Sequence, residues 1–167
     1  VASAPLRSRW IAVAARNTGL RAAPWGRPLS LLAVQLVVWV LAALAAAVPA
    51  VPGLVLGGWL TANGWLATGA GVGAAGLALG SGLAVAVRSV FALAAPEVIV
   101  GRSSPWRALS RAGARGVREL GPLAVLVLSG DLLTGVGALF CGAAALPGYP
   151  ITDLAVLHRW RAAEEGR

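Results

Sequence analysis

The sequence predicts an all-α integral membrane protein: a helical bundle of four transmembrane helices with one amphipathic helix at the cytoplasmic membrane surface. Three observations predict this class. No ionisable side chain lies between Arg27 and Arg88, and this gap of about 60 residues is roughly three times what one membrane-spanning helix needs. The chain is 58% hydrophobic and only 12% charged, against about 25% for a soluble domain. Its 14 basic residues are all arginines, and they flank the apolar stretches.

The first transmembrane helix follows a basic arm. Residues 1–27 carry five of the arginines, and a span is predicted over about residues 29–48. Pro28 suits the first turn of a helix, because its missing N–H has no intrahelical partner there. Pro49 and Pro52 are expected to end the span, since proline in a helix interior removes a hydrogen bond and clashes with the preceding turn.

The second transmembrane helix is predicted over about residues 66–92, after a turn within residues 50–66. The turn is uncharged and holds Trp59 and Trp65, and tryptophan is enriched at membrane–water interfaces. The second span is rich in glycine at spacings of four residues, which indicates close helix packing either within this chain or in a dimer. The glycines expected to pack are Gly69, Gly73, Gly76 and Gly80.

An amphipathic helix is predicted between the second and third spans. Pro96-Glu97 is expected to end the second span, and Ser104-Pro105 is typical of a helix start, so the new helix covers about residues 105–120. Its arginines share one face and are expected to contact lipid headgroups: Arg107, Arg111, Arg115 and Arg118. The opposite side is apolar and holds Trp106, Leu109, Gly113, Val117 and Leu120.

The C-terminal third is read as two further spans, over about residues 123–140 and 143–157, followed by a tail at residues 161–167. One span with an external tail, giving three in all, is the alternative. The positive-inside rule favours four, because every arginine then lies on one side of the membrane. Both termini are therefore expected in the cytoplasm.

Asp131 is the most informative polar residue. It lies in the otherwise apolar third span, where a carboxylate is costly and needs a partner. It is either a proton, cation or substrate site, or a structural carboxyl that bridges helices through Thr134, Ser129 or Gln35. Gln35, the strongly polar side chain of the first span, is expected to hydrogen-bond between helices. Asp153 is expected to cap the fourth helix, with pairing to an arginine as the alternative.

No catalytic, cofactor or metal site is expected from the sequence. One histidine, one cysteine and no methionine do not supply the usual axial pairs of a buried haem. The residues show no zinc-site spacing, phosphate loop or catalytic triad. The high pI of about 11.7 is attributed to topology-setting arginines rather than to nucleic acid binding.

The C-terminal part of the chain resembles a group of bacterial multi-helix membrane proteins. The resemblance is carried by Pro96-Glu97, the stretch SPWRALSR at residues 104–111, the glycine-rich residues 137–142, Pro150 and the terminal Trp160. This group includes the membrane domain of glycerophosphoryl diester phosphodiesterases. The resemblance covers about the last 70 residues and implies a topology rather than an activity.

These features predict a non-catalytic accessory or scaffold subunit of a larger assembly in the bacterial inner membrane. Its expected partners are anionic lipid headgroups and either other membrane subunits or further copies of the chain. The alternative is a small transporter, channel or lipid-handling protein that uses Asp131.

Overall fold

The structure of the protein is a computed structural model that describes residues 4–17, 28–139 and 148–165. These residues are helical, without strands, which confirms the all-α class. The helices are α1 (Ala4–Asn17), α2 (Pro28–Ala62), α3 (Leu66–Val90), α4 (Ala94–Ile99), α5 (Pro105–Arg118), α6 (Leu120–Leu139) and α7 (Gly148–Glu165). The chain divides into two compact units, a hairpin unit (Val37–Arg88) and a core unit (Val1–Leu36 with Ser89–Arg167).

Helix α2 extends beyond the predicted end of the first span. It continues through Pro49 and Pro52 to Ala62, so the prolines lie inside the helix and do not end it. The cause is its packing: small residues before and after the prolines, such as Ala46 and Gly53, contact one continuous face of α3. That face requires helical spacing across the prolines. Neighbouring helices commonly stabilise proline inside apolar helices in this way.

The turn predicted over residues 50–66 is confined to three residues between α2 and α3. Asn63 and Gly64 form the turn, and Trp65 precedes α3. Gly64 has φ +88°, in the left-handed region that glycine adopts without strain. The side-chain amide of Asn63 donates a 2.8 Å hydrogen bond to the Trp59 carbonyl, which also accepts the backbone N–H of Asn63 at 3.1 Å.

Two helical segments in the described residues are long and apolar enough to cross a membrane. They are Pro28–Ala62 and Leu66–Ile99, and only 17% and 22% of their most apolar stretches is buried within the protein. Helix α6 contributes a shorter apolar stretch, Leu120–Leu132. Helix α7 lies across the end of the predicted fourth span and continues past it to Glu165, whereas residues 140–147 lie outside the described part of the chain.

The core unit packs helices around α4. All six residues of α4 are buried, and the helix contacts α1, α5 and α7, while α7 also packs against α1 and α6. Large apolar side chains fill this centre: Ile11, Leu31, Leu93, Ile99 and Leu123. Burying each one is worth about 1.5–3 kcal/mol relative to exposure.

The short helix α4 includes the Pro96-Glu97 pair that was expected to end the second span. Helix α3 ends earlier, at Val90, and the chain turns once before α4 begins at Ala94. Pro96 is the third residue of α4, where a missing N–H disrupts nothing because the first-turn amides have no intrahelical acceptor. Glu97 is thereby placed in the buried centre of the core unit instead of at a helix end.

Candidate functional site

Glycines form the inner face of the hairpin unit. The four predicted packing glycines of α3, Gly69, Gly73, Gly76 and Gly80, are all buried. They lie against small residues and exposed backbone of the same chain in α2, at Ala46, Pro49, Ala50, Gly53, Gly57 and Thr61. The two helices therefore pack in an antiparallel register, with Gly53 opposite Gly76 and Gly57 opposite Gly73.

The close approach of the two backbones requires glycine at Gly69, Gly76 and Gly80, whereas a Cβ at Gly73 would meet only the Leu54 side chain, at 3.9 Å. A Cβ atom added to Gly76 would lie 2.9 Å from the Cα of Gly53 and 2.9 Å from the carbonyl oxygen of Pro49. One added to Gly80 would lie 2.5 Å from the carbonyl oxygen of Ala46. By contrast, a Cβ at Gly71 would meet nothing within 4 Å. The stripe of contact is therefore one face of α3 and not a property of its glycine content.

The outer faces of the hairpin unit carry its large apolar side chains. Those exposed include Leu44, Val48, Val55, Leu66, Leu77 and Leu79. The Thr61 hydroxyl donates a 2.8 Å hydrogen bond to the Gly57 carbonyl, so this side chain is satisfied within its own helix. Small residues inside and large apolar residues outside are the arrangement expected for helices that are solvated by lipid tails.

Tryptophans mark both ends of the hairpin unit. At one end the Arg88 guanidinium lies 4.9 Å from the centre of the Trp39 ring, a cation–π contact. At the other end Trp59 and Trp65 flank the turn, and both are exposed. Twenty residues separate Trp39 from Trp59, which is about 30 Å along a helix.

A buried carboxylate in the core unit joins α4 to α5. Glu97 is only 2% exposed, and its Oε1 lies 3.2 Å from Nη1 of Arg115, whose side chain is 13% exposed. The contact is electrostatic, since the two groups are not aligned for a hydrogen bond. Arg111 approaches the same carboxylate at 3.9 Å from the solvent side. An ion pair this deep gains strength from the low local dielectric, and it makes loss of either partner costly.

The segment between α4 and α5 closes over Glu97. The Ser103 amide donates to the Glu97 carbonyl at 3.1 Å, and the Ser103 hydroxyl accepts a 3.4 Å hydrogen bond from Arg111. A Cβ at Gly101 would lie 2.9 Å from Oε2 of Glu97, so glycine allows the chain to pass this close. Arg102 adopts φ +51°, which turns the chain into α5.

One face of helix α5 is buried in the core unit. Ala108, Leu109, Ala112 and Gly116 are buried. Gly116 lies directly against the backbone of Val90, the last residue of α3, and Gly113 lies against the ring of Phe91, the residue that follows. Trp106 and Val117, expected on the apolar side, are exposed.

The four arginines of α5 do not all lie on its exposed side. Arg107, Arg111 and Arg118 are exposed, whereas Arg115 turns inward to Glu97.

Asp131 is partly buried in α6 and takes part in a polar interaction. One of the partners considered from sequence is excluded as a donor, because the Ser129 hydroxyl donates to the Val125 carbonyl of its own helix. The neighbouring Gly130 lies against Thr152 of α7, so this level of α6 packs on α7. Gln35 is partly buried in α2, and the side chain of Thr134 lies outside the described residues.

Asp153 does not cap a helix, contrary to the prediction. Helix α7 begins at Gly148, so Asp153 lies in its second turn, where it is buried and takes part in a polar interaction. Farther along α7, Nε of Arg159 donates a 3.0 Å hydrogen bond to Oε2 of Glu119. This partly exposed ion pair ties α7 to the junction of α5 and α6.

Sequence reasoning missed the pairing of Glu97 with Arg115, although one signal was present. Glu97 is the sole acidic residue between Arg88 and Arg118, a stretch that holds six arginines. A lone acid among so many cations, next to an apolar segment, is a candidate for a buried ion pair. Which arginine pairs with Glu97 depends on how α5 is rotated in the core unit.

No family model matches this chain, and no curated protein or solved structure matches it at a significant level. Among residues 4–17, 28–139 and 148–165, no group of three metal-binding side chains is placed together.

Proposed function

We propose that this protein is a non-catalytic accessory or scaffold subunit of a larger assembly in the bacterial inner membrane. One observation carries the proposal. The hairpin unit buries one row of its glycines and exposes most of its large apolar side chains, including Trp39, Trp59 and Trp65. Water would reverse that arrangement, whereas lipid tails or the helices of a membrane partner accept it.

The tryptophans support a position for the hairpin unit in the bilayer. The distance of about 30 Å along α2 from Trp39 to Trp59 equals the thickness of the hydrocarbon core. Arg88 lies with Trp39 at one boundary, and Trp59 and Trp65 lie at the other. We therefore propose that about residues 39–59 of α2 cross the membrane, instead of the residues 29–48 predicted from the sequence.

The distribution of arginine supports the topology of the whole chain. Four spans, with the third near residues 123–140 and the fourth near residues 143–157, keep all arginines in the cytoplasm with both termini. The turn at Asn63 then lies outside. A three-span topology would place Arg159 and Arg161 outside.

The scaffold role is supported by the hydrogen bonds that polar side chains of the hairpin unit form. The hydroxyl of Thr61 and the amide of Asn63 both bond to backbone carbonyls of α2. These side chains therefore stabilise the helix end instead of pointing to a solute. The surface that the unit offers to its surroundings is broad and apolar, and it suits helix–helix contact.

Photo-crosslinking in the native membrane tests the scaffold role. A photoreactive phenylalanine analogue is placed at Leu44, Val48 or Val55 on α2, and at Leu79 on α3, all exposed. We expect neighbouring positions on one face to give the same discrete protein adduct, while positions on other faces give lipid adducts. If every position crosslinks to lipid alone, the scaffold role is wrong.

The alternative function is transport of a small solute or lipid that uses Asp131. Its support is the position of this carboxylate in apolar α6, partly buried and held by a polar interaction. Asp131→Asn preserves hydrogen bonding but removes the charge. A variant that stays folded and assembled while it loses a transmembrane flux in proteoliposomes favours the transporter over the scaffold.

A further inference from the structure

We propose that the exposed face of α5 binds the headgroups of anionic phospholipids through Arg107 and Arg118, with Trp106 and Val117 inserted beside them. This inference rests on the membrane location argued above and assigns the lipid class and the residues. The structure changes the residue set that the sequence suggested. Arg115 points inward to Glu97 and is not part of this surface, whereas the exposed side chains of Trp106 and Val117 are.

The geometry of α5 places the two kinds of residue in parallel rows. Trp106 and Val117 are eleven residues apart, and so are Arg107 and Arg118. Eleven residues make almost three full turns, so each pair lies on one line along the helix, about 16 Å long. The two lines are about 100° apart around the helix axis. An apolar row beside a cationic row is the pattern of a helix that lies in the membrane plane.

The exposure of the apolar row is unusual for a helix in water. Trp106 is 75% exposed and Val117 is 66% exposed, while the opposite side of the same helix is packed in the core unit. Folding of the core unit therefore leaves these side chains uncovered. Tryptophan is enriched at the level of lipid headgroups, because its ring is apolar and its N–H can hydrogen-bond to water there.

Within the described part of the chain, the acidic side chains near α5 are paired with other arginines. Glu97 is occupied by Arg115 and Arg111, and Glu119 is occupied by Arg159. Neither Arg107 nor Arg118 forms an ion pair with a side chain in the described part of the chain. Phosphate groups of anionic lipids complement these two charges, and each basic residue near such a surface contributes about 1 kcal/mol.

The Glu97–Arg115 pair fixes which face of α5 is presented. Drawing Arg115 inward sets the rotation of α5 about its own axis. That rotation puts Ala108 and Ala112 in the core and the two rows on the surface. Arg115 is therefore a positioning residue for the lipid surface and does not contact lipid itself.

Tryptophan quenching by brominated lipids tests the proposal with the full chain. The protein is reconstituted in phosphatidylcholine vesicles that contain phosphatidylglycerol as about one lipid in five. Bromine is placed on the acyl chains of either lipid at equal mole fraction. The Trp106 signal is obtained as the difference between the native protein and Trp106→Phe, each measured under both conditions.

We expect the Trp106 signal to be quenched more by brominated phosphatidylglycerol than by brominated phosphatidylcholine. Arg107→Gln and Arg118→Gln should each reduce this preference about fivefold, and high salt should reduce it as well. Arg159→Gln is the matched control, because it removes an exposed arginine that Glu119 already neutralises, and it should leave the preference unchanged.

Two results would overturn the proposal. Equal quenching of Trp106 by both lipids would show that the helix lies in the membrane without headgroup selectivity. No quenching of Trp106, while Trp39, Trp59 and Trp65 are quenched, would show that α5 faces water or an acidic protein. If the tryptophans of the hairpin unit also escape quenching, the membrane location itself is wrong, so failure of the two proposals is distinguishable.

Discussion

The hairpin unit and the core unit solve the packing problem in opposite ways. Within Val37–Arg88 the buried face is glycine, and backbone lies against backbone. In the core unit the buried residues include large side chains, such as Ile11, Leu93 and Leu123, beside alanines, and an ion pair is buried with them. The first arrangement brings two helix backbones into close contact. It leaves apolar side chains on the outside, which carries no free-energy cost in lipid. The second buries large side chains in the centre around α4, whereas α6 of the same unit still exposes Val125, Leu128 and Leu132.

We relate this difference to the surroundings proposed for each part: lipid for the hairpin unit, and the membrane surface with water for the helices around α4. Lipid provides no hydrophobic force between helices, so association depends on close van der Waals contact, which small residues allow. Water provides that force, so large apolar side chains are buried and charged groups stay outside unless they are paired. The two units also differ in composition, because Arg88 is the one ionisable residue within Val37–Arg88, whereas the other 13 arginines and all six acidic residues belong to the core unit.

The largest effect is expected at the buried ion pair of the core unit. Arg115→Leu leaves the Glu97 carboxylate buried without its main partner and should destabilise the protein by about 3–5 kcal/mol. The measurement is the free energy of unfolding in detergent micelles during a titration with denaturing detergent. Glu97→Leu combined with Arg115→Leu should recover most of the loss, because no uncompensated charge remains.

The surface pair Arg159–Glu119 is the control for that experiment. Both side chains are partly exposed, so Arg159→Gln should change the free energy of unfolding by about 1 kcal/mol or less. Equal losses from Arg115→Leu and Arg159→Gln would contradict the idea that burial makes the Glu97 pair special.

The next largest effect is expected at the glycine face of the hairpin unit. Gly76→Ala places a methyl group against the Gly53 Cα and the Pro49 carbonyl, so the helices must separate, at a cost of about 1–3 kcal/mol. Gly71→Ala is the matched control in the same helix. It faces open space, and the higher helix propensity of alanine should make it neutral or stabilising by up to about 1 kcal/mol.

Similar effects of the two substitutions on unfolding in micelles would show that glycine acts through helix propensity alone. The contrast between the units would then lose its basis, because the hairpin would not depend on close backbone contact.

The sequence predicted the helices better than their contacts, for physical reasons. Helix α3 follows from an uncharged apolar run, which is a local signal. The continuation of α2 past Pro49 was missed, because the local preference of proline is outweighed by contacts with α3, a partner that is distant in sequence. The pairing of Glu97 with Arg115 was missed for the same reason. The sequence does not show which of the four arginines of α5 faces Glu97, because that depends on the rotation of α5 in the core unit.

A smaller effect is expected at Asp131. Asp131→Asn should leave the thermal stability nearly unchanged, since the amide still forms hydrogen bonds, whereas Asp131→Leu should destabilise by about 1 kcal/mol. The thermal transition in micelles, followed by circular dichroism, separates the two variants. Unchanged stability of the leucine variant would mean that the polar interaction of Asp131 does not hold α6 in place.

The central proposal is that the hairpin unit crosses the membrane, so that the Asn63–Gly64 turn is exposed outside the cell while α5 is exposed to the cytoplasm. Cysteine labelling tests it most directly, on a Cys141→Ala background. Ala62→Cys reports the turn and Ser110→Cys reports α5, and both native side chains are exposed. A membrane-impermeant maleimide should label Ala62→Cys in intact spheroplasts and label Ser110→Cys only after the membrane is opened. Labelling of both positions from the same side would contradict the claim.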